Sequence, residues 1–171
     1  QASVAHWNSA PIEYIIGIFM IISSLNYSLL SSCLQGKFKR LFQNGEIRWF
    51  LGSVPVLTFI ITATLFFKMD YPIELAFRKA FFQVSTIHSS SGFASDDYNL
   101  WPHFTWILLI FAMMAGGCTG STAGGMKNMR IMIVWRNIKN EFRRLIHPNA
   151  VLAVRINKQV IPQTLLNTVS T

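Results

Sequence analysis

Charge is scarce in this sequence. Charged residues fill 13% of its 171 positions and hydrophobic ones 51%, a balance that suits lipid as a solvent better than water. Acids are the scarcest, seven against fifteen lysines and arginines, which leaves a net charge of +8. That excess does not read as a nucleic-acid surface, because twelve of the fifteen cations sit in two places. Lys37, Lys39, Arg40 and Arg48 share one short polar stretch, and Lys127, Arg130, Arg136, Lys139, Arg143, Arg144, Arg155 and Lys158 follow the last apolar segment. Only Cys33 and Cys118 carry thiols, far apart and without zinc or haem spacing, so no disulfide framework or metal knuckle follows. His6, His88, His103 and His147 have no ligand spacing to one another, and no Ser/His/acid order emerges, so an enzyme is not indicated. The chain opens at Gln1 without methionine or a basic signal-peptide region, so it is read as part of a longer protein.

Long apolar stretches fill the rest. Ile12–Leu34 is apolar apart from Glu13 at its edge and small polar residues, and at ~1.5 Å per residue reaches roughly 34 Å, enough to cross a bilayer core. The cationic stretch after it is placed on the cytoplasmic side by the positive-inside rule. Trp49–Phe67 supplies a second, uncharged span that contains Pro55.

The third segment, Pro72–Ser85, reaches only about 21 Å and carries Glu74, Arg78 and Lys79, so it does not span. Its Ile73, Ala76, Phe77, Ala80, Phe81 and Val84 form one helical stripe with the charges beside it. Asp70 or Tyr71 is the expected cap, and Glu74 suits the positive end of the helix. A polar run follows, then Trp101-Pro102 opens another apolar segment, His103–Ala115. Short helix, polar loop and spanning helix together read as a re-entrant pore loop, since irregular backbone at membrane depth survives when it lines a water-filled path. Ser89–Phe93 would then offer carbonyl and hydroxyl oxygens to a cation at the negative end of the short helix, with Gly92 free to turn its carbonyl inward. An ordinary Ser/Gly-rich outer loop is the competing reading.

Glycine is also sparse, except that five of the ten lie within Gly116–Gly125, GGCTGSTAGG. An unwound intramembrane stretch that gates a path is one reading. A small-residue packing face is another, because Gly116, Gly120 and Gly124 have GxxxG spacing. A phosphate loop fails, since Met126 occupies the lysine position and no strand precedes it.

The motifs SSSGFASDDYNLWP, MMAGGCTGSTAGGMKNMR and RRLIHPNAV resemble the third repeat of the TrkH/TrkG family of bacterial Trk-type potassium uptake proteins. The resemblance runs from about Phe19 to Val160. It implies an all-α integral membrane fold: one M1–pore helix–M2 repeat of a four-repeat, potassium-channel-like transporter, preceded by the last helix of the previous repeat. Residues 1–35 are then that helix, 36–48 a cytoplasmic loop, 49–126 the repeat, and 127–171 a basic cytoplasmic connection to a fourth repeat. By the same resemblance Ser90, Ser91, Gly92 and Phe93 form one quarter of a selectivity filter that binds K+ through backbone carbonyls. Gly116, Gly117, Gly120, Ser121, Thr122, Gly124 and Gly125 belong to the gate. It further implies potassium uptake, with ion coupling as in symport, across a bacterial inner membrane, no cofactor, a homodimer, contact with membrane lipid, and a cytosolic TrkA-type nucleotide-binding regulatory subunit. Family filters are often threonine-rich where this chain has serines. A sodium-permeable or non-selective relative is the near alternative. A simple two-helix channel is the further one, and the TVGYG-like filter expected of it is not in the sequence.

Five residues remain with two readings each. His88 is a hydrogen-bonded packing residue before it is a tuner of ion entry. Asp96 and Asp97 serve as caps and as attractors of cations at the outer mouth. Lys127, with Arg130, is an inner-face anchor rather than a partner of the gate loop. Tyr98, Trp101 and Trp106 suit an interfacial belt, and the membrane interiors carry essentially no ionisable side chains.

Overall fold

Asn44 marks the boundary between a short helix and the longest one. In the computed structural model of this chain, the structure is described for residues 4–7, 9–146, 155–156 and 159–160. Among these the order is α1 (Ala10–Ser23), α2 (Tyr27–Leu34), α3 (Phe38–Gln43), α4 (Gly45–Met69), α5 (Ile73–Ser89), α6 (His103–Ala115) and α7 (Asn128–Ile146), then the strands β1 (Arg155–Ile156) and β2 (Gln159–Val160). The strands pair antiparallel over two residues each, a hairpin within the basic connection that the sequence pattern did not announce.

The Asn44 carboxamide oxygen caps α4 by accepting from Glu46 N at 2.9 Å and Ile47 N at 3.4 Å. The helix has 25 residues and is long and apolar enough to cross a membrane, carrying Pro55 in its interior. It stops at Asp70, whose φ of 52° takes it out of the helix. Ile47, Phe50, Val54, Ile61 and Leu65 form its buried stripe, packed with Ala76, Ala80 and Val84 of α5 and Leu109 of α6.

The expected single span Ile12–Leu34 is instead two helices bent by 106°. Ser24 ends α1, and the Asn26 side chain caps α2 by accepting from Ser28 N and Leu29 N. Polar side chains that satisfy backbone donors locally compete with continuing the helix, so the break occurs where Ser and Asn cluster.

Helix α5 has 17 residues, four beyond the expected end at Ser85, and no side chain caps its start. Ser85 and Ser89 hydroxyls return to the carbonyls of Phe81 and Thr86, which keeps these polar residues inside the helix. The charges beside its apolar stripe are buried, Arg78 and Lys79 together with Gln83, while Ile73 and Phe77 of the stripe itself are exposed. Helix α6 matches its expected bounds, but 13 residues cover only about 20 Å, short of a bilayer core of roughly 30 Å. The chain continues as irregular backbone to Lys127 and re-enters a helix at α7. Trp101 is only 2% exposed and packs in the core, so it does not belong to an interfacial belt. Pro148 is where the sequence would end a helix running on from Lys127, and that stop, with most of 127–171 beyond α7, lies outside the described residues.

Candidate functional site

The end of α5 turns sharply because Ser90 takes a left-handed conformation, φ 57°, as its C-cap. Ser90 N and Ser91 N donate back to Ile87 and Thr86 carbonyls at 3.2 Å. Gly92 follows at φ +75°, with open space where a Cβ would stand, so the need for glycine there is conformational and not steric. The Ser91 hydroxyl is consumed by protein: it contacts the Thr86 and Ser89 hydroxyls at 2.9 and 3.0 Å and donates to the Met20 sulfur at 2.8 Å. The Ser90 hydroxyl accepts from Gly124 N at 3.0 Å. In the segment Ser90–Phe93, which is called the strand below, none of the backbone carbonyls accepts a hydrogen bond among the described residues, so they are open to a cation. The strand lies at the negative end of α5.

Downstream, the strand is anchored by a buried charge cluster. Lys79 Nζ donates to the Ser95 carbonyl at 2.8 Å and to Glu13 Oε1 at 2.9 Å. Arg78 Nε lies 3.5 Å from Glu13 Oε2 and 3.7 Å from Glu74 Oε1. Glu13, in the first turn of α1, is 1% exposed. The acid at the edge of one apolar run meets two cations of another, and pairing is what makes their burial tolerable. Asp96 and Asp97 act as local caps, accepting from Trp101 Nε1 and Asn99 N.

Gly116–Gly125 is irregular backbone, which removes the helix-packing reading of its glycine spacing. At Gly116, φ is 61° and ψ −158°, a region essentially closed to other residues, and an added Cβ would collide with the Gly124 carbonyl. The Gly116 carbonyl accepts from Asn128 Nδ2 at 2.8 Å and from His88 Nδ1 at 3.2 Å. His88 is buried, its ring edge-on to Phe50 at 5.4 Å, so it joins the helix before the strand to the start of the loop as a packing residue.

The loop also docks on the α1–α2 break. Cys118 N donates to Ser24 O at 2.9 Å and Tyr27 N to Gly120 O at 3.1 Å. The Thr122 hydroxyl lies 3.3 Å from the Tyr27 hydroxyl, and the Ser121 hydroxyl donates to Cys118 O at 2.6 Å. Gly117 O accepts from Asn128 N, and past Gly125 the loop returns by Met126 N to Met114 O. Lys127, at φ 67°, donates to the Ala123 carbonyl and, at 3.5 Å, to that of Ser121. Its geometry is that of a loop-holding residue, beyond the inner-face anchor expected of it.

The structure therefore brings Ser90 and the loop together and leaves Phe93, 44% exposed, at the rim. The family model described as TrkH, cation transport protein, matches residues 1–169. The chain belongs to the TrkH family. It is 37% identical over 99% of its length to the Trk system potassium uptake protein TrkH of Salmonella typhimurium, and 30% identical over 98% to the Trk system potassium uptake protein TrkG of Escherichia coli. It covers 35% of each of these relatives. The crystal structure of the potassium transporter TrkH from Vibrio parahaemolyticus superposes with a TM-score of 0.92 at 31% identity, over 99% of this chain and 37% of that one. The fold is thus that of a membrane cation transporter of the TrkH family. Within this TrkH-family chain two contacts escaped the sequence reading: Glu46 accepts from Thr119 N at 2.6 Å, and Asn26 donates to Thr119 O. An Asn-Gly-Glu just ahead of an apolar run is the signal that pointed there, because it marks a capped helix start that draws its acid inward.

Proposed function

We propose that this chain forms one pore-loop repeat of the membrane-embedded translocation subunit of a bacterial potassium uptake system. The strand Ser90–Phe93 supplies a quarter of the selectivity filter through its carbonyls, and Gly116–Gly125 is the gate beneath it. The observation that carries this reading is the Gly124 N to Ser90 Oγ bond, which places the irregular loop directly against the strand after the re-entrant helix. A structural neighbour described as a potassium transporter supports potassium as the ion. Residues 1–35, 36–48, 49–126 and 127–171 divide as preceding helix, inner loop, repeat and connection. The complete protein works in the inner membrane as a homodimer under a cytosolic nucleotide-binding regulator, supported by family membership and by the cations Arg130, Arg136, Lys139 and Arg143 on α7.

The test is rubidium and potassium uptake by the full-length protein in a bacterium lacking its own uptake systems, comparing wild type with Gly92→Ser. Loss of uptake or of preference over sodium is expected. Unchanged uptake and preference at normal expression overturns the filter assignment.

A further inference from the structure

Both sides of the peptide at Thr119 are held by side chains from outside the loop. Its N–H donates to Glu46 Oε1 at 2.6 Å, and its carbonyl accepts from Asn26 Nδ2 at 2.5 Å. The Asn26 carboxamide oxygen is meanwhile committed to capping α2. Glu46 is 2% exposed and sits on the first turn of α4, where the capped helix start favours its negative charge. It also stands three residues beyond the end of α3, which packs on α2 and α4 and belongs to the cationic segment assigned to the inner face.

We propose that Glu46 is a positioning residue of transport: its carboxylate latches the gate loop in its docked register and ties that register to the inner-face segment 36–44. This rests on the reading of Gly116–Gly125 as the gate. A short hydrogen bond to a buried carboxylate contributes more than a neutral one, and losing it is expected to raise the undocked population by about tenfold or more. Glu46 need not touch the ion. It acts through Thr119, and the docked state also buries Cys118 completely, which makes that thiol a reporter of undocking.

The experiment uses the full-length protein in proteoliposomes. Labelling of Cys118 by a membrane-permeant maleimide is read by mass spectrometry of its peptide, beside downhill rubidium flux and the rubidium-to-sodium ratio. Glu46→Ala is expected to raise both labelling and flux by about tenfold with the ion ratio kept, and Glu46→Gln, which retains an acceptor, to fall between it and wild type. Asn26→Ser, which can still cap α2 but cannot reach Thr119, should act in the same direction and carries the test if Glu46→Ala fails to assemble. Unchanged labelling overturns the latch whatever the flux does, and leaves the gate reading standing. Raised labelling with flux unchanged or lowered overturns the latch by removing the gate reading under it.

Discussion

Ser90 and Gly124, 34 positions apart, are joined by a hydrogen bond of 3.0 Å in which a loop amide donates to the hydroxyl at the C-cap of α5. Ser90→Ala removes the acceptor and keeps the backbone. A neutral bond of this kind contributes on the order of 1 kcal/mol, so downhill rubidium flux through the full-length protein should rise by a few-fold. Ion preference should not change, because the hydroxyl faces the loop and the carbonyls remain. A shift in preference with constant flux would count against this geometry.

Gly116→Ala tests the turn that starts the loop. The added Cβ meets the Gly124 carbonyl, a backbone atom that cannot swing away, in a conformation that costs a non-glycine residue roughly 1–3 kcal/mol. The thermal unfolding midpoint of the purified protein should fall. Gly52→Ala is the control: nothing stands within 4 Å of its Cβ position and it lies inside α4, so its midpoint should hold or rise.

Glu13 is the only acid paired with Lys79 among the described ion pairs, and it shares Arg78 with Glu74. Glu13→Ala leaves Lys79 buried without a counter-charge, a loss of about 3–5 kcal/mol. Folded yield and resistance to denaturant should drop sharply. Combining Glu13→Leu with Lys79→Met should recover most of the stability, and the remaining deficit should show as altered ion preference, since Lys79 also anchors the Ser95 carbonyl below the strand.

Lys127→Met removes the ammonium from the Ala123 and Ser121 carbonyls while keeping much of the side-chain volume. Loosening the inner limb of the loop should speed maleimide labelling of Cys118. If Lys127 were an anchor alone, labelling would stay at the wild-type rate.

The span α4 and the bounds of α6 were legible because their signals are local: α4 is one apolar run after an Asn cap, and α6 keeps the bounds its hydropathy sets. Gly92 and the loop were legible as places where glycine is needed. What escaped depended on partners far along the chain. The break at Ser24–Asn26 looks like mild polarity within an apolar run until Cys118 and Gly120 arrive to bond it, and Glu13 looks peripheral until Lys79, 66 residues on, meets it. Glu46 passed unremarked for the same reason, since its partner is 73 residues away. The bonds of the serine hydroxyls to Met20, Thr86 and Gly124 are likewise invisible to residue type and appear only in the geometry.

The bent junction between α1 and α2 bears on how such transporters can be recombined. The loop's sockets, Ser24, Asn26 and Tyr27, lie upstream of α4, and its far grip, Asn128, opens α7. A chimera that swaps only the segment from α4 through Gly125 with a relative would import the loop without its seat. The heritable module is the whole stretch from α1 to the first turn of α7, and crossovers inside it should yield leaky transporters more often than crossovers at its edges.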